Sequence, residues 1–212
     1  MKRLVLAGIA TGLALASASC GDSPKTLLAE VRYRLSPHSG VQGCPLPYPS
    51  YNYTDFNGAA IDGSAGIRAA CRATQLSSGI YSFTLGSYTD VTNPNGIGVT
   101  GLVVDTRNCD PTTGCTVVDS ASCRVTVDVD NSSYIARFQG ACSSAAATVG
   151  TCQVTNVVLD RKNADGKTVS LRVYCQQIQG VDDATMQCDL HDSEATMTNA
   201  PAYLRFSNCT GL

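Results

Sequence analysis

The chain has 212 residues, a length that fits one globular domain or two small ones. Hydrophobic residues make up 43%, enough for a packed core and too many for wholesale disorder, and only 15% are charged. Fifteen Lys and Arg against seventeen Asp and Glu leave a net charge of −2 with no basic run, which argues against a nucleic-acid partner, while eleven Cys with no Trp point to an oxidising compartment.

Met1, Lys2 and Arg3 open the chain with charge, and Leu4 to Ala18 carries none. This apolar run is shorter than the ~20 residues a membrane-spanning helix needs, so residues 1–19 read as a signal peptide. The small residues Ala16, Ser17, Ala18 and Ser19 close on Cys20 and Gly21. The stretch resembles the lipobox of bacterial lipoproteins, with Ser17 where Leu is commonest. That resemblance implies lipidation of Cys20, a membrane partner held through the lipid, and, from Gly21 in place of Asp, export to the outer membrane. Cleavage after Ala18, giving a secreted protein, is the competing reading. With Cys20 set aside, Cys44, Cys71, Cys109, Cys115, Cys123, Cys142, Cys152, Cys175, Cys188 and Cys209 remain, an even set that closes five bridges.

Residues 20–50 read as the lipidated N-terminus and a tether, and 51–212 as the disulfide-rich β-domain. The tether holds Pro37, Pro45, Pro47 and Pro49 with Gly40 and Gly43, a composition that favours extended backbone. Between Thr26 and Leu35, Leu27, Leu28, Val31 and Leu35 fit one face of a helix, whereas Val31, Tyr33 and Leu35 alternating with Arg32 and Arg34 fit a first strand near 27–35, the reading favoured by the strands downstream. Further on, Ile67 to Ala73, Tyr81 to Leu85, Cys123 to Val129, Tyr134 to Phe138 and Val169 to Cys175 all alternate apolar with polar residues. Turn chemistry stands between them at Asn93 to Gly96, Asp130 to Ser133 and Asn163 to Gly166. The expected fold is all-β, a disulfide-stapled antiparallel β-sandwich of Ig-like or jelly-roll-like kind. A weak repeat, Cys-Arg-Ala-Thr at Cys71 and Cys-Arg-Val-Thr at Cys123, with Cys-Gln-Val-Thr at Cys152, suggests common hairpin construction.

Hairpin register predicts some bridges. A four-residue loop at 162–165 sets Cys152 opposite Cys175, at the close approach a disulfide needs. A turn over Asp130 to Ser133 sets Cys123 opposite residue 140 or so, within reach of Cys142 if a bulge intervenes. Cys109 and Cys115 bracket a short turn and can staple it; Cys44, Cys71, Cys188 and Cys209 are further bridge candidates whose partners the sequence does not fix.

No catalytic motif is present: His38 and His191 are the two histidines, the nearest approach to a nucleophile elbow lacks its first Gly, and no Cys-x-x-Cys occurs. The sequence calls for no cofactor. Asp182, Asp183, Asp189, Asp192 and Glu194 gather around His191, and Asp189, Asp192 and Glu194 are the candidates for calcium; against that stands a plainer reading as solvated turns, since the twelve-residue calcium-loop pattern is missing. Tyr48, Tyr51, Tyr53 and Phe56 form an aromatic segment suited to stacking on a sugar or packing on a protein, or else to covering the sheet. The leading expectation is a lipid-anchored envelope protein that binds a glycan or a protein, or serves a structural role. The alternatives are a secreted calcium-binding adhesin, a carbohydrate-binding domain, and a hydrolase or inhibitor.

Overall fold

The structure, a computed structural model, describes residues 27–41, 43–54, 68–88, 95–110, 112–131, 133–160, 167–193 and 200–212, with the backbone alone for Tyr53, Thr54 and Arg68. The signal peptide, Cys20, Phe56, Glu194 and the 163–166 turn lie outside these residues. Among the described residues there is no helix. The strands are β1 (Ala29–Ser36), β2 (Ser50–Thr54), β3 (Arg68–Ser77), β4 (Ile80–Tyr88), β5 (Gly96–Asp110), β6 (Gly114–Val118), β7 (Arg124–Asp130), β8 (Ile135–Ser143), β9 (Thr151–Asp160), β10 (Thr168–Gly180), β11 (Gln187–His191) and β12 (Ala202–Phe206).

Alternation decides which face is inside. Val31, Tyr33 and Leu35 of β1 are fully buried, as are Val125 and Val127 of β7 and Val169, Leu171, Val173 and Cys175 of β10. These side chains meet in one core cluster with Phe83, Phe138 and Phe206. In three strands the alternation slips by one residue, and each slip is a bulge at a backbone with positive φ. Gly101 (φ 65°) is the extra residue in β5, so that Val99 and Leu102 are both buried. Asn156 (φ 50°) does the same between Val154 and Val157, and Gln177 (φ 47°) between Cys175 and Ile178.

The strands form a single hydrogen-bonded network. β1 carries β2 on one edge and, on the other, β12 and β11 end to end. β10 takes β12 and β11 on its near edge, with β9 and β8 beyond. β5 pairs with β4 on one side and with β7 and β6 on the other, and β3 lies outside β4. The sheet is mixed rather than purely antiparallel, because β8 and β9 run parallel over Ala141–Ser143 and Thr151–Gln153. The link between them is held by Ser144 N–H on Asp119 Oδ1 (3.0 Å) and by Thr148 N–H on Thr151 Oγ1 (2.7 Å).

Five disulfides join Cys44 to Cys188, Cys71 to Cys209, Cys109 to Cys115, Cys123 to Cys142 and Cys152 to Cys175. They account for every cysteine except Cys20, and they place the folded chain in an oxidising, non-cytoplasmic compartment. Two expected registers shift by small amounts. The 130s turn is Asn131 to Tyr134, closed by Asn131 Oδ1 accepting from the Ser133 and Tyr134 amides, so β7 and β8 need no bulge between Cys123 and Cys142. In the β9–β10 pair Asp160 faces Thr168, one residue off the expected register, and the Asn156 bulge restores it before Cys152 is reached. The hairpins that follow Cys71 and Cys123 differ in their turns, and only Cys123 bonds to its own return strand.

Candidate functional site

The Pro- and Gly-rich segment after β1, read from sequence as part of a tether, lies against the body. Cys44 is bridged to Cys188 of β11, Gln187 N–H bonds Gly43 O (3.1 Å), and Leu35 N–H bonds Pro49 O (3.0 Å). The segment forms a strap whose own residues line an open cleft of 660 Å³, among them Pro37, His38, Ser39, Val41, Leu46 and Tyr48. Leu46 is 67% exposed at its rim. A cleft of this size suits a small ligand or a peptide side-chain cluster.

Beneath the strap, β1 and β11 pair with Ser36 opposite Asp189, Leu35 opposite Leu190 and Arg34 opposite His191. Both leucines take the core, so Arg34, Ser36, Asp189 and His191 share the outer face. Asp189, His191 and Asp192 are only 7%, 4% and 6% exposed. This corrects the reading of these residues as solvated turns. Asp189 Oδ1 accepts the Gln177 amide of the β10 bulge (2.8 Å), and Oδ2 accepts Nδ1–H of His38 from the strap (2.8 Å). His191 Nε2 lies 2.8 Å from Ser36 Oγ, and its Nδ1 lies 3.0 Å from the Asp192 main-chain oxygen. Burial, aided by the Arg34 charge, pushes the His191 pKa below its ordinary value; the Asp192 carbonyl and the carboxylates of Asp189 and Asp192 oppose this.

The acidic residues that cluster in sequence are dispersed in space. Asp183 closes a turn through Thr185, whose amide and hydroxyl both bond Asp183 Oδ1 (2.9 and 2.6 Å). Asp182 lines a second cleft of 280 Å³ with Asp128, Ile135, Arg137 and Val181. Asp128 is buried and accepts Arg137 Nε–H at 2.6 Å. Asp192 lies 4.0 Å from Arg172. Among the described residues no three His, Cys, Asp or Glu side chains converge as a metal site. Asp189 directs both oxygens at protein donors, which leaves a cation little to coordinate.

The aromatic segment divides between two roles. Tyr48 lines the large cleft. Tyr51 stands opposite Tyr33, with ring centroids 4.9 Å apart, and is half-buried. Burial, with Tyr134 and Asp130 nearby, pushes its pKa up to about 12, so it acts as a packing residue. Tyr53 occupies the register position opposite Val31. Next to this segment Arg32 and Arg172 hold their guanidinium carbons 4.9 and 5.3 Å from the Tyr203 ring centroid.

Sequence reasoning missed Ser36, Arg34 and Gln177. The alternation of β1 does put Arg34 and Ser36 on the non-core face, but nothing in the letters pairs that strand with one 155 residues away from Ser36. Compared with known proteins, the chain matches no family model, no curated protein and no solved structure.

Proposed function

We propose that the chain is a lipid-anchored module of a bacterial cell envelope that acts by binding, with the open cleft of the strap as its ligand site and an envelope glycan or protein segment as the ligand. One observation carries this reading: the five bridges use every cysteine but Cys20, the residue that ends the lipobox-like stretch. An exported thiol with no disulfide partner and a small-residue approach is what lipid attachment requires. Two or more acyl chains, at about 0.8 kcal/mol per buried methylene, suffice for stable anchoring. Covalent geometry then limits the leash from Cys20 to Ala29 to roughly 30 Å, so the body works close to its bilayer. The outer membrane is the expected address.

The body itself we read as a sandwich-like wrap of the one sheet. Support comes from the tail after β12, an inner strand of the path, which crosses to β3 at the path's end: Cys209 bridges Cys71, and Ala73 N–H bonds Thr210 O at 2.7 Å. The cleft supports the binding role because Tyr48 offers a flat face with a hydroxyl, and His38 a ring fixed by Asp189.

Labelling growing cells with radioactive palmitate tests the anchor. Label that is present in the wild type and lost in Cys20→Ala supports it; an unlabelled wild-type chain overturns it. For the cleft, envelope glycan fragments are titrated against the purified chain, and binding should weaken at least tenfold in Tyr48→Ala. Equal affinity of the two proteins would place the ligand elsewhere.

A further inference from the structure

The Ser36–His191 pair has the arrangement that activates a serine. A carbonyl oxygen only accepts hydrogen bonds, so the contact of Nδ1 with the Asp192 oxygen (3.0 Å) fixes the proton on Nδ1. In the neutral ring Nε2 is then a lone pair, and the Ser36 hydroxyl 2.8 Å away donates to it. The ring is kept neutral by burial at 4% exposure. Ser36 is partly exposed and immediately precedes Pro37 and His38, which line the 660 Å³ cleft. Arg34, opposite His191 in the ladder, supplies a positive charge on the same face.

We propose that Ser36 is a nucleophile and His191 its general base, making the rim of the cleft an acyl-transfer centre for carboxylic esters. Ser36 Oγ attacks the ester carbonyl carbon while its proton passes to His191 Nε2. The negative charge that develops on the carbonyl oxygen is stabilised by the Arg34 guanidinium. The carbon–oxygen bond to the alcohol breaks, and the departing oxygen takes the proton from Nε2. Water then attacks the acyl-serine, gives its proton to Nε2, and releases the carboxylic acid as Ser36 recovers its hydrogen. The main-chain carbonyl of Asp192 plays the part of the third group in such triads, holding the tautomer and the ring.

The centre needs neither the lipid nor a glycan, so its test is separate from those of the anchor and the binding role. The disulfide-bonded mature chain is treated with a fluorophosphonate, and hydrolysis of p-nitrophenyl acetate is followed in parallel. The expected result is a covalent adduct on Ser36, found by peptide mass, together with a loss of at least ~100-fold in hydrolysis for Ser36→Ala and His191→Gln. Arg34→Ala should lower kcat with little change in KM, as expected for a group that acts on charge formed in the transition state. Melting curves of Ser36→Ala that overlay the wild type separate lost chemistry from lost fold. If the folded wild type takes no label on Ser36, or hydrolyses the ester no faster than Ser36→Ala, the pair is only a tie between β1 and β11 and the proposal falls.

Discussion

Asp189 is buried because the β10 bulge needs it. At Gln177 the chain turns into the left-handed region, and its amide leaves the ladder for the carboxylate. Removing that acceptor with Asp189→Ala orphans the Gln177 amide and the His38 ring together, so urea denaturation should show a loss of about 2–4 kcal/mol. Asp189→Asn keeps an acceptor for the amide and should lose less than half as much; equal losses would mean that the Gln177 bond contributes nothing. His191 sets a pH dependence of its own. Its pKa is below the ordinary value in the folded state, chiefly through burial, so the unfolded chain takes up the proton first as pH falls. The stability this ring contributes is therefore fully present above about pH 6.5, the ordinary value, and is lost as pH falls through the folded value. Arg34 reinforces the effect, and Asp189, Asp192 and the Asp192 carbonyl oppose it. Urea midpoints measured from pH 7.5 to 5 should fall for the wild type, with a shallower slope for His191→Gln. An identical slope in both would contradict the assignment.

The three bulged strands, β5, β9 and β10, keep one face inward because each bulge resets the phase. Gly101 is the clearest case: it sits at φ 65°, and a Cβ there would come within 2.5 Å of the Ser122 carbonyl oxygen. Gly101→Ala should cost about 2–4 kcal/mol, from the left-handed backbone and the clash combined. A change below about 0.5 kcal/mol would show that β5 can slide past the bulge. The same resets explain what a reader of the letters can and cannot see. Unbroken alternation in β7, β8 and the first half of β10 is legible, and with it the pairs Cys123–Cys142 and Cys152–Cys175, which lie 19 and 23 residues apart. Val99 and Leu102 break period two, so β5 does not announce itself as one fifteen-residue strand. Cys44–Cys188 and Cys71–Cys209, 144 and 138 residues apart, depend on a topology that spacing does not encode. The site divides in the same way: Tyr48 is legible as part of an aromatic segment, whereas Ser36 and His191 meet only through the pairing of β1 with β11. Loop length also orders the staples. The chain-entropy model assigns about 3.5 kcal/mol to Cys152–Cys175 and about 2.4 kcal/mol to Cys109–Cys115. The latter turn is already closed by Asp110 Oδ1 on the Thr112 and Thr113 amides. Replacing each pair by alanines should therefore lower the thermal midpoint more for the longer loop, and the reverse order would contradict the model.

At the scale of the whole molecule, two of the five sulfur bonds hold segments that lie outside the strand ladders. Cys44–Cys188 fastens the strap that forms the cleft to β11, and Cys71–Cys209 ties the tail to β3, the last strand of the sheet path. Reduction should open both places before the β4–β5 and β9–β10 ladders separate. Both the stapled body and its anchor depend on how the eleven cysteines are divided between crosslinks and lipid. The most direct measurement is peptide mapping, without reduction, of the chain extracted from envelope membranes. The expected result is five linked peptide pairs, 44–188, 71–209, 109–115, 123–142 and 152–175, and an acylated N-terminal peptide that begins at Cys20. Cys20 recovered as an unmodified thiol, or found crosslinked to any of the other ten, would contradict it.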